Sequence, residues 1–87
     1  MKAYYRADVK DLNVGDAATR TLDPLDGNEY TYATTDLALA RAIAARHSDF
    51  RVYRVLLDEP VVPAEDDSLG DVFVRSPSGA VTEVMNG

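Results

Sequence analysis

Only one stretch of this 87-residue chain reads as a helix, and strands flank it closely on both sides, which narrows the possible folds sharply. Glu29-Tyr30-Thr31-Tyr32-Ala33-Thr34 is rich in β-formers, and its two tyrosines project from one face by the two-residue period of a strand. Thr34 or Thr35 is then expected to cap a helix running to about His47, with Asp36 set against the positive end of the helix dipole. On a helical wheel Leu37, Leu39, Ala40, Ile43, Ala44 and His47 share a broad face, while Ala38, Arg41, Ala42, Ala45 and Arg46 lie opposite. A helix of this kind packs by one side on a sheet. Phe50-Arg51-Val52-Tyr53-Arg54-Val55-Leu56-Leu57-Asp58 is the strongest strand, with apolar groups on both faces, and so is predicted to be central.

The remaining segments supply more strands. Ala3-Tyr4-Tyr5-Arg6-Ala7 reads as a first strand, with Tyr5 and Ala7 on one face and Tyr4 and Arg6 on the other. Turn signals at Gly15-Asp16, Asp23-Pro24 and Asp26-Gly27 make residues 8–28 a long loop, with room for a short strand within residues 17–22. Pro60 and Pro63 bracket Val61-Val62, an extended or edge segment, and the acidic run Glu65-Asp66-Asp67 follows. Residues 71–75 and 80–84 are expected to form a closing hairpin around Ser76-Pro77-Ser78-Gly79, a turn with proline second and glycine fourth. The expectation is a single domain over residues 1–87 of α+β class. Its sheet, or two small sheets, should be mainly antiparallel and twisted, with one principal helix.

Composition removes several functional classes. There is no cysteine, hence no disulfide framework or thiolate zinc site, and a cytoplasmic location is the simplest expectation. No stretch approaches the roughly 20 apolar residues of a membrane span, and the N-terminus reads as strand and not as a signal peptide. A formal net charge of -6 argues against nucleic-acid binding, which depends on Lys and Arg, and favours a small molecule or a basic protein as partner. With one histidine, His47, expected to serve the helix C-terminus, and with acids lacking calcium-loop spacing, no structural metal is predicted. No serine sits in a nucleophile-elbow context, and the five glycines form no phosphate loop. The oligomeric state is not legible.

What remains is arginine, tyrosine and carboxylate. An arginine holds phosphates or ribose hydroxyls, an aromatic ring stacks on a flat heterocycle, and a carboxylate stabilises a developing cation. Each group also has a plainer reading: Arg6 as a solvated strand arginine, the Tyr30/Tyr32 pair as cross-strand packing, and the acidic run as a solvated loop.

Tyr5-Arg6, Asp11-Leu12-Asn13-Val14-Gly15-Asp16, Tyr30-Thr31-Tyr32-Ala33-Thr34, and Arg51-Val52-Tyr53-Arg54-Val55 leading through Pro63 to Glu65-Asp66-Asp67 follow one another in a telling order. In order and approximate spacing, residues 4–67 resemble the bacterial rifampin ADP-ribosyltransferases. The resemblance implies an ADP-ribosyltransferase-like fold, NAD as co-substrate, and transfer of ADP-ribose to a small-molecule or protein acceptor. It also implies Asp67 and Tyr32 as catalytic residues, and Arg6, Tyr32 and Thr34 as cofactor-binding residues. Arg6 stands where that family has a histidine, and Ala7 where it has a glycine. In another branch of the superfamily an arginine in this strand contacts the NAD ribose or phosphate. Two further readings stand beside enzyme action: a catalytically inactive module of the same fold that binds a nucleotide or a protein, and an accessory protein whose tyrosines and arginines are purely structural.

Overall fold

The strands fall largely where the alternation of apolar residues puts them. A computed structural model describes residues 2–64 and 73–85. In chain order these form β1 (Tyr4–Val9), β2 (Thr21–Leu22), β3 (Glu29–Thr34), α1 (Leu37–Ala45), β4 (Phe50–Leu57), β5 (Val62–Pro63), β6 (Phe73–Ser76) and β7 (Gly79–Val84). The result is a small α+β fold with one helix on an antiparallel sheet of order β5-β6-β3-β1-β4-β7, in which β2 pairs with β3. As expected, β4 is central, paired with β1 on one edge and β7 on the other. Among the described residues no helix is long and apolar enough to cross a membrane.

Three local expectations are corrected. The helix is capped by Asp36, whose carboxylate accepts from the Leu39 amide, while the Thr34 hydroxyl accepts from the Asp36 amide one step earlier. The carboxylate reaches the orphan amides of the first turn and leaves the threonine to support the bend from strand into helix. The helix stops at Ala45, so His47 lies beyond it, exposed, with its ring 4.8 Å from that of Phe50.

The third correction concerns the closing strands, which do not form a hairpin. β6 pairs with β3 and β7 with β4, and the successive antiparallel pairings β6–β3–β1–β4–β7 make β6 and β7 run in the same direction. Only Pro77 and Ser78 separate them. They are two parts of one bent strand that passes from one half of the sheet to the other, a corner of the kind found where sheets pack at a steep angle. The corner is pinned to the end of β4: the Ser76 hydroxyl donates to the Asp58 carbonyl, the Ser78 hydroxyl to the Asp58 carboxylate, and the Asp58 amide to the Ser78 carbonyl at 3.0 Å.

The core fills the space this corner encloses. Ala18, Ala33, Tyr53, Val55, Leu57 and Val81 are buried together, with Tyr4, Leu12, Val61, Val74 and Val84 packed around them. Tyr53 is wholly buried, and its hydroxyl is satisfied by the Val9 carbonyl. β7 is further covered by the loop that precedes β2, through backbone bonds that link Gly15 and Asp16 with Val81 and Ala18 with Gly79.

Candidate functional site

The two halves of the sheet meet at β1 and β3, and there the ladder is a single register pair, Tyr5 opposite Thr34. Continued, the register would bring Ala7 opposite Tyr32. Instead the strands diverge and the Arg6 side chain spans the gap: its Nη1 donates to the Tyr32 carbonyl at 2.8 Å and its Nε to Asp8 at 2.9 Å. A guanidinium suits this task because its planar donors can serve two acceptors at once.

Asp8 anchors the arginine in turn. It is 3% exposed and accepts from the Thr19 amide at 2.9 Å, the Thr19 hydroxyl at 2.6 Å and the Val9 amide at 2.8 Å. Burial alone would raise its pKa, but the hydrogen bonds from Thr19 and Val9 and the Arg6 charge together outweigh it and hold the carboxyl below its ordinary value.

Beside this seam lies a cavity of about 100 Å³ between β1, β3 and α1. It is lined by Tyr5, Arg6 and Ala7 of β1, Tyr32 and Thr34 of β3, Ala40 and Ile43 of α1, and Phe73 of β6. Arg6 of β1 is thus brought beside Tyr32 and Thr34, neighbours on one face of β3. Thr34 is 1% exposed and its hydroxyl oxygen already accepts from Asp36, so anything that touches it must do so from within the cavity. Asp67 lies outside the described residues. The chain is last described before the acidic run at the buried Ala64, just after β5 has paired Pro63 with Val74 of β6.

The same face of β3 carries a second cluster that the sequence reading missed. Tyr30 and Tyr32 do share a face, with their rings edge to face at 6.4 Å and 68°. Arg75, directly opposite Tyr32 on β6, lays its guanidinium over the Tyr30 ring at 4.3 Å from the centroid. Its Nη1 is 2.7 Å from the Asp23 carboxylate, an ion pair in which both side chains are at most 10% exposed, and its Nη2 is 3.9 Å from Asp26. Asp26 accepts from the Tyr30 hydroxyl, and that bond lowers the pKa of the acid and raises that of the phenol. From the sequence alone, Asp23 and Asp26 read as turn residues. The available signal was that Arg75 shares a strand face with Phe73, an unusual place for a charge unless it is paired.

Among the described residues no three His, Cys, Asp or Glu side chains converge as a metal site. The chain matches no family model, no curated protein and no solved structure.

Proposed function

We propose that the chain is an NAD-dependent ADP-ribosyltransferase-like protein of ADP-ribosyltransferase-like fold, which transfers ADP-ribose to a small-molecule or protein acceptor. The observation that carries this reading is the convergence of Arg6, Tyr32 and Thr34 on one cavity at the seam between half-sheets. At about 100 Å³ the cavity is well under the roughly 300 Å³ at which small-molecule sites begin, so it takes a single flat ring and leaves the rest of a dinucleotide outside. Tyr32 offers a ring face for nicotinamide, and Arg6 a cation for ribose or phosphate.

Cleavage of the nicotinamide–ribose bond sends its electron pair to nicotinamide and leaves oxocarbenium-like charge on the ribose. A carboxylate at Asp67, assigned by the sequence resemblance, would stabilise that charge while the acceptor oxygen or nitrogen attacks and gives up its proton. The test is incubation of purified protein with labelled NAD and a panel of acceptors. ADP-ribose adducts are expected, with Asp67→Ala reducing the rate about a hundredfold or more. No NAD turnover, with Asp67→Ala indistinguishable from the parent, would sink the reading.

One observation favours a second reading, a catalytically inactive module of the same fold that binds a nucleotide or a protein. Arg6 commits Nε to Asp8 and Nη1 to the Tyr32 carbonyl, as a structural strut would. Calorimetry with NAD and ADP-ribose separates the two: heat of binding without turnover selects the module that binds a nucleotide.

A further inference from the structure

The Arg75 cluster does not line the seam cavity, yet it touches one of the residues that does. The loop after β2 is folded around Asp23: its carboxylate accepts from the Leu25 amide at 2.8 Å, its carbonyl from the Gly27 amide at 2.9 Å, and its own amide donates to the Asn28 carbonyl at 2.8 Å. Gly27 supplies the positive φ of 76° that this tight return needs. The loop therefore presents Asp23 and Asp26 together, one to each side of the work: Asp23 fixes the Arg75 guanidinium and Asp26 fixes the Tyr30 hydroxyl. Between them the Tyr30 ring is held under a cation and by its own phenol, and its only ring neighbour among the described residues is Tyr32.

We infer that Arg75 is a positioning residue for Tyr32: acting through Tyr30, it fixes the orientation of the ring that faces the seam cavity. The inference deepens the nucleotide-binding reading and rests on it for its consequence in substrate binding. The physical chain is short. Arg75 is kept over the Tyr30 ring, 4.3 Å from its centroid, because its charge is held at 2.7 Å by a buried carboxylate, and Tyr30 meets Tyr32 at 68°, the geometry in which one ring's positive edge faces the other's negative face. A bound flat heterocycle gains from a tyrosine ring that is already oriented, because no ordering remains to be done on binding.

The test uses the full chain and two variants. Tyr30→Ala removes the ring contact but leaves the Arg75–Asp23 pair, and Arg75→Lys keeps the charge but replaces the broad guanidinium over the ring by a compact ammonium. In the free protein, aromatic NMR of Tyr32 should show a restrained ring in the parent and faster ring flipping in both variants. The KM for NAD should rise about fivefold, the size of one edge-to-face contact, with kcat changed less than twofold. Unchanged Tyr32 signals in both variants overturn the inference, as does an unchanged KM when the signals do change. If the parent neither binds nor turns over NAD, the nucleotide reading fails, and the Tyr32 signals alone then decide whether Arg75 positions that ring.

Discussion

Asp8 occupies a strand position from which a charge ordinarily faces water, yet it is buried and is held ionised by Thr19, Val9 and Arg6. Its carboxyl titrates lower in the folded chain than in the unfolded one. Stabilisation of that sign is complete above the unfolded value, about 3.9 for an aspartate, and is lost as the pH falls through the folded value. Asp8→Asn should therefore cost about 2 kcal/mol at pH 7, since the amide nitrogen cannot accept the bonds of the oxygen it replaces and the remaining oxygen is no longer charged. Urea midpoints from pH 7 to pH 2 should show the gap between parent and variant closing below about pH 4. A gap of constant size over that range would assign the stability to shape and not to charge.

At the scale of elements, the corner between β6 and β7 carries the fold, and glycine makes it possible. A Cβ on Gly79 would stand 3.0 Å from Leu57 Cδ2 and 3.1 Å from the Leu56 carbonyl, because the bent strand crosses close over the end of β4. Gly79→Ala should destabilise by about 1 to 3 kcal/mol, the usual cost of overpacking, read as a lower urea midpoint with unchanged slope. This corner also marks what the sequence could convey. β-forming residues marked the strands that prove to run from Phe50 to Leu57 and from Glu29 to Thr34, and a 3.6-residue period marked the apolar face of α1, because those signals are local. Pro77 and Gly79 read as a hairpin because a turn and a corner use the same residues; only pairing with β3 and β4, far away in the chain, distinguishes them. Arg6, Tyr32 and Thr34 were named through a family resemblance and do meet at one cavity. A charge on the strand face of Phe73 hints that Arg75 is paired, but its partner Asp23 lies 52 positions away, so no short window names it.

Among the described residues the one sheet is joined across β1 and β3 by a single register pair, and two polar struts do work that backbone pairing does elsewhere. One strut is the Arg75–Asp23 pair, which ties the loop after β2 to β6. Asp23 takes both the Arg75 guanidinium and the Leu25 amide, so Asp23→Ala should cost about 2 to 3 kcal/mol in denaturant titrations, whereas Asp23→Asn, which can still accept from both, should cost less. The other strut is Arg6, which stands where the β1–β3 ladder ends after Tyr5 and Thr34. If backbone pairing alone closed the seam, Arg6→Ala would leave hydrogen exchange unchanged everywhere. Because the guanidinium caps the Tyr32 carbonyl and is itself anchored on Asp8, exchange in Arg6→Ala should instead quicken at least tenfold for the amides of β1 and β3 that face the seam. The β4–β7 ladder, joined over the length of β7 and packed on the Tyr53 core, should keep its protection. Uniform acceleration across both halves would mean that the sheet opens only as one unit and that Arg6 contributes to global stability, not to the seam.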